Sequence, residues 1–279
     1  MWPLMTASAT EAALEADWLG ICRRAEAAAR RALHSFPLGD RARPTGRGEG
    51  GDIALVIDRA AEDAILAELE LTGLPLTVVS EERGQVELAG GGPVHVIVDP
   101  IDGSRNAKRG LPGWCVSIAV GDGALLGNIR WAYVGDGDRG EEWWARAGEG
   151  AFHDGAPMPE LDPTGPLEMV GLEFIRPRLV AGAAEALAAS GIERLRALGS
   201  IALTLCYVAC GRLDGMLALG GCRSVDIAAG QLILREVGGV LAFPDADEDV
   251  DQASLSLDWR SRVFAAAGPA GLERLCSIA

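Results

Sequence analysis

Apolar and polar positions along the chain switch between a helical period and a strand-like one. Over residues 11–36, Leu14, Trp18, Ile21, Ala25, Ala28 and Ala32 recur at helical spacing, which predicts one amphipathic helix able to cover a sheet. Residues 40–52 lose that period and read as a loop. A short apolar run at 53–57 leads into Asp58, and residues 60–71 resume the helical pattern. Residues 76–80 read as a strand ending at Glu81-Glu82. The β-branched run at 94–98 reads as a buried strand that stops at Asp99-Pro100. Proline lacks the amide a ladder needs and bars αR geometry from the residue before it. If these two strands are neighbours, Glu81 and Asp99 converge at their ends.

Residues 114–120 and 124–133, separated by Asp122-Gly123, read as a hairpin, and 143–144 with 151–152 as a second short antiparallel pair. Pro157, Pro159, Pro163 and Pro166 then accumulate. They predict a division into an N-terminal α+β domain, residues 1–153, and a C-terminal α/β domain, residues 154–279. The second part reads as a strand at 167–172, a helix at 179–190, an extended piece at 194–198 and a helix to about 210 that Ser200 caps. A strand at 214–219 precedes a helix that opens around Asp226 and runs to 236. Ala228, Ala229 and Gly230 give it a small face for close packing. Strands at 240–243 and 263–266 and a helix at 272–278 complete a mixed α/β pattern.

Composition narrows the function classes. Although 49% of the residues are of hydrophobic type, no apolar run approaches a membrane span. With 25 basic and 40 acidic residues, the net charge of −15 repels polyphosphate backbones and argues against a nucleic-acid partner. The opening residues Met1-Trp2-Pro3-Leu4 carry no basic segment followed by an apolar core, so no secretory leader is expected. Six scattered cysteines suit a reducing, cytoplasmic setting. The acidic run at 245–251 lacks the glycine and terminal glutamate of a calcium loop and reads as solvated.

The candidate chemistry is carboxylate chemistry. Glu81, Asp99, Asp102 and Asp226, with Asp58 nearby, all fall at element junctions without an obvious local basic partner. Brought together, such groups repel unless a cation separates them or one is protonated. Hard divalent ions take oxygen ligands, and the chain offers only His34, His95 and His153 as imidazoles, so magnesium or manganese is favoured over zinc. Each acid also has a bland role. Asp99 and Asp102 suit a turn, Asp58 can cap a helix, and Asp226 gains from a helix dipole wherever it points. The amides at Gly199-Ser200 either take a phosphate or sugar hydroxyl or simply begin a helix.

Three stretches carry a resemblance. Glu81-Glu82, Asp99-Pro100-Ile101-Asp102-Gly103-Ser104-Arg105-Asn106 and Asp226-Ile227-Ala228-Ala229-Gly230 resemble the hallmark motifs of the inositol monophosphatase family. That family belongs to the metal-dependent, lithium-sensitive phosphatases that include fructose-1,6-bisphosphatase. The resemblance implies a layered αβαβα sandwich, a homodimer, and a magnesium-dependent phosphomonoesterase. Its substrate is then inositol-1-phosphate or a related small sugar or polyol phosphate. Two or three Mg2+ ions are implied, with Mn2+ able to substitute. Glu81, Asp99, the carbonyl of Ile101, Asp102 and Asp226 are the implied metal ligands. Asp58, Glu82 and Ser104 are the implied catalytic residues, Ser104 standing where the family usually has threonine. Substrate contacts fall on Arg47 of the loop before Asp58, the Gly103-Ser104 amides, Gly199, Ser200, Arg223 and Asp226.

Departures from the family pattern bear on specificity. Val225 stands where inositol-specific members carry tryptophan, and residues 216–222 lack the carboxylate that reads inositol hydroxyls. Arg223 adds a cation there, placed either to meet a second phosphate or to form an ion pair. This form resembles archaeal-type enzymes that hydrolyse both inositol monophosphate and fructose-1,6-bisphosphate. Alternatives are a phosphatase for histidinol phosphate or a 3′-phosphorylated nucleotide, and a non-catalytic binding or structural protein on the same fold.

Overall fold

The computed structural model describes residues 7–51, 53–246 and 248–278. The opening residues 1–4 and Asp247 of the acidic run lie outside them. In the first half, α1 (Ala7–Leu14) and α2 (Trp18–His34) precede a hairpin of β1 (Pro44–Arg47) and β2 (Ile53–Leu55), which leads into α3 (Val56–Glu70). Strands β3 (Leu76–Ser80), β4 (Gly84–Leu88) and β5 (Val94–Asp102) follow, then the single turn α4 (Ser104–Ala107). The half ends with β6 (Cys115–Gly121), β7 (Ile129–Asp136), β8 (Glu142–Arg146), β9 (Ala151–His153) and β10 (Ala156–Pro157).

The second half runs β11 (Met169–Glu173), α5 (Pro177–Ala189), β12 (Arg194–Arg196), α6 (Ile201–Ala209), β13 (Gly215–Ala218) and β14 (Cys222–Arg223). It continues with α7 (Ser224–Arg235), β15 (Val240–Ala242), β16 (Arg260–Ser261), β17 (Phe264–Ala266) and α8 (Pro269–Cys276).

An eight-stranded sheet in the order β10-β9-β8-β7-β6-β5-β3-β4 and a five-stranded sheet in the order β12-β11-β13-β17-β15 form two layers. Alternation along their strands sorts the core. Ile97 of β5 and Met216 of β13 both pack among Leu203, Leu205, Ile227 and Ile233, so α6 and α7 lie between the sheets. Val96 and Val98 face Trp18, Ile21, Ile57 and Ile65 of α2 and α3. Leu217 and Phe264 face Leu179 and Leu187 of α5 and Leu275 of α8. The result is the expected αβαβα sandwich.

Three expectations are corrected. The helical period over 11–36 is two helices, because Asp17 caps α2 by accepting the Gly20 amide at 3.0 Å. The loop at 40–52 contains β1, which pairs with β2 in a hairpin whose glycines and charges hide its pairing from a hydrophobic pattern. Finally, β5 does not stop at Pro100. It continues to Asp102 through a bulge that accommodates a residue with no amide to donate.

Candidate active site at a bulged strand

Strand parity decides which acids meet. Val79 of β3 lies opposite Ile97 of β5 in parallel register, and both side chains face the α6–α7 layer. Side chains two apart share a face, so Glu81 and Asp99 emerge on that same side. Unbroken alternation would send Asp102 to the other face. The bulge prevents this: from Asp99 to Asp102, β5 takes three steps against two from Ser117 to Cys115 on β6. Ile101 is thereby turned into the α2–α3 core. Asp102 turns toward α6, where its Oδ2 accepts the Ser200 hydroxyl and the Ala202 amide, both at 2.7 Å.

Helix starts supply the remaining acids. Asp226 lies buried in the first turn of α7, with Oδ2 accepting the Arg223 amide at 2.8 Å and Oδ1 3.2 Å from the Arg223 guanidinium. That guanidinium also pairs with Glu81. Asp58, in the first turn of α3, accepts the Leu55 amide at 3.0 Å through Oδ2. Asp58 is therefore a cap, but half of it is unused: its Oδ1 is buried with no hydrogen-bond partner, as is Glu82 Oε2.

The other proposed residues stand around this cluster. Gly103 holds φ at +91°, and a Cβ there would come within 2.4 Å of the Gly113 carbonyl, so only glycine fits the turn into α4. Ser104 opens α4 half-buried. Ser200 caps α6 by accepting the Leu203 amide at 3.3 Å while donating to Asp102. Gly199 donates its amide to Glu173 at 3.0 Å. Arg47 is not drawn in and lies exposed at the end of β1.

Burial and mutual repulsion hold the acids above the ordinary carboxylate range. Glu81 is pushed up to about 7, by burial first and then by Asp226, against the pull of Arg223. Burial, followed by Glu81, Asp58 and Glu62, lifts Glu82 to about 8. Asp102 rises to about 8 through burial and Asp226, although the Ser200 and Ala202 bonds oppose the shift. Asp58 is lifted by burial to about 6, and Asp99 well above its usual value by burial, Glu81, Asp102 and Asp226. Arg223 loses by burial but gains more from Asp226, Glu81 and Asp99, which keep it charged.

The sequence profile of the inositol monophosphatase family matches residues 19–279. The chain belongs to that family. It is 36% identical over 210 residues to a fructose-1,6-bisphosphatase/inositol-1-monophosphatase of Methanothermobacter thermautotrophicus, covering 70% of this chain and 72% of that one. It is 33% identical over 196 residues to the Nus factor SuhB of Escherichia coli, covering 68% and 72%. The solved structure of a Thermotoga maritima IMPase superposes with a TM-score of 0.76 at 24% identity, over 94% of this chain and 96% of that one, a likeness of fold.

The family is one of magnesium-dependent phosphatases, and this site's donors fit a hard divalent ion in kind. They are carboxylate oxygens, and beside them Asp58 and Glu82 each bury one oxygen without a partner. The neighbouring Cys115 thiol, raised further by burial, is a soft ligand that a hard ion does not favour. Among the described residues no three acidic, histidine or cysteine side chains converge closely enough to hold one ion as they stand. The Arg223 guanidinium instead lies between Glu81 and Asp226.

Two residues of this site were missed in the sequence. Glu62, fully buried on α3, accepts the Ser80 hydroxyl and, at 3.1 Å each, the Glu82 and Arg83 amides, fixing the turn that carries Glu81 and Glu82. Glu173 ends β11 and accepts the Leu198 amide at 3.2 Å, the Gly199 amide at 3.0 Å and the Thr204 hydroxyl at 2.7 Å. Both had signals. Glu62 interrupts the apolar face of a helix, and Glu173 follows an apolar run as Glu81 and Asp99 do.

Proposed function

We propose that this family member is a magnesium-dependent phosphomonoesterase acting on inositol-1-phosphate or a related sugar or polyol phosphate, fructose-1,6-bisphosphate included. The observation that supports the reading most is the β5 bulge, which turns Asp99 and Asp102 to one face beside Glu81 and Asp226. Keeping so many acids in one buried cleft raises the energy of their charged forms. A fold that needed them only as caps has no reason to share the cleft.

Glu81, Asp99, Asp102, Asp226 and the Ile101 carbonyl would hold the metal, with Mn2+ as a substitute. When bound, magnesium supplies the positive charge that neutralises the acids and polarises the phosphoryl group. The chain's own residues do the positioning, which is most of what phosphoryl transfer asks of a protein. Asp58 Oδ1 and Glu82 Oε2 are the acceptors able to orient a water and receive its proton, and Ser104 supplies a hydroxyl to help position that water. The Gly103-Ser104 amides are the donors for phosphate oxygens, and the Gly199-Ser200 turn, whose Gly199 amide and Ser200 hydroxyl are held by Glu173 and Asp102, lines the substrate side. Arg47, outside the cluster, meets substrate only if the β1–β2 hairpin moves over it. The proposed assembly is a homodimer, to be measured by sedimentation.

Phosphate release from inositol-1-phosphate, fructose-1,6-bisphosphate, histidinol phosphate and phosphoadenosine phosphate, with and without magnesium, tests the reading. Release from the first two only with magnesium is expected, and Asp99→Asn is expected to remove most of it while leaving the far-ultraviolet spectrum unchanged. Metal-independent release, or wild-type turnover by that variant, overturns the assignment. The relative named a Nus factor favours a second reading, a binding protein on the same fold. Release from none of the four substrates would support it.

A further inference from the structure

Arg223 sits where the acidic cleft most needs positive charge. Its side chain is only 15% exposed, it pairs with Glu81, and its Nη2 lies 3.2 Å from Asp226 Oδ1. The backbone around it is fixed: the Arg223 amide donates to Asp226, and β14 pairs with β16, Arg223 opposite Arg260. The β1–β2 loop closes over the pair. Gly50 donates its amide to the Glu81 carbonyl at 2.9 Å, and its own carbonyl accepts from Arg260 at 3.0 Å. A Cβ on Gly50 would stand 2.9 Å from Arg223 Nη1 and 3.1 Å from the Glu81 carbonyl, so the loop lies directly against the guanidinium.

A planar guanidinium spans two carboxylates in a way that a compact ammonium does not. It also stands between two of the proposed metal ligands. We propose that Arg223 is a tethered cation of the cleft, one that holds Glu81 and Asp226 in the metal-free protein and must leave them before a divalent ion binds. The proposal rests on the metal-dependent reading above and adds a control on it. Metal affinity is set by the fraction of molecules in which the guanidinium has swung away, and metal entry is linked to lifting of the loop at 48–51. A latch engaged about ten times more often than not weakens apparent metal affinity about tenfold.

The test is Mn2+ binding, read from the spin-resonance signal of free Mn2+, in wild type, Arg223→Gln and Arg223→Lys. Arg223→Gln is expected to bind Mn2+ about tenfold more tightly. Arg223→Lys should fall between, its ammonium engaging one acid rather than two. The metal-free Tm of Arg223→Gln should drop, and Mn2+ should raise it by more than it raises that of wild type. A second measurement needs no variant. Phenylglyoxal labelling of wild type, mapped by peptide mass spectrometry, should modify Arg223 faster with Mn2+ than without.

Unchanged or weaker Mn2+ binding by Arg223→Gln, or protection of Arg223 by Mn2+, overturns the proposal and leaves the phosphatase reading standing. Absence of Mn2+ binding by wild type and variants alike overturns both. If Arg223→Gln does not fold, Arg223→Lys and the labelling decide.

Discussion

Glu173 shows how far a site extends beyond the groups that face its cleft. Its carboxylate touches none of the proposed metal ligands, yet it holds the Leu198 and Gly199 amides and the Thr204 hydroxyl, and so fixes the turn whose Ser200 donates to Asp102. Burial pushes it up to about 7, with those three bonds pulling the other way. Glu173→Gln keeps the shape but turns a donor toward donors. It should cost about 1–3 kcal/mol of stability, read as a lower denaturant midpoint. It should also raise KM for phosphate esters more than it lowers kcat, because it loosens a binding turn and not the reacting groups. The residues that face the cleft were legible in the sequence because an acid after an apolar run is conspicuous. Glu62 and Glu173 carried signals too but match no motif, and most of their partners are backbone amides, which no residue type announces. The role of Arg223 was legible only as a choice between phosphate and ion pair. Its carboxylate partners lie three residues on, in the first turn of α7, and just past the end of the distant β3.

At the scale of elements, period revealed most strands and helices but not their register. The bulge in β5 is the clearest case, since an extra residue in one strand shows only against its partner. The break between α1 and α2 was hidden for a different reason. The apolar spacing continues across it, and only the Asp17 cap marks the new start. By contrast, the small face of α7 was readable and has the expected use. A Cβ on Gly230 would meet Leu205 Cβ of α6 at 2.8 Å, so the two helices touch almost backbone to backbone. Gly230→Val should therefore cost about 1–3 kcal/mol through overpacking. Thermal unfolding measures the loss, and an unchanged ratio of activity on inositol-1-phosphate to that on fructose-1,6-bisphosphate separates it from an effect on the site.

For the whole molecule, the acidic cleft ties stability to pH. Asp58, Glu81, Glu82 and Asp102 are raised to about 6, 7, 8 and 8, so the folded protein holds protons more tightly there than the unfolded chain. Their contribution is complete below about pH 4 and is lost as pH rises through about 6 to 8. The Tm of the metal-free protein is expected to fall across that window, and millimolar magnesium should flatten the fall. A metal-free Tm that climbs over the same window would contradict the raised values. The middle layer carries another consequence. Because α6 and α7 are the inner wall of both sheets at once, neither sheet can separate without stripping the same two helices of half their cover. Heat should then release the molecule in one cooperative step, with calorimetric and van't Hoff enthalpies equal, and no half-melted species should accumulate between native and unfolded chains.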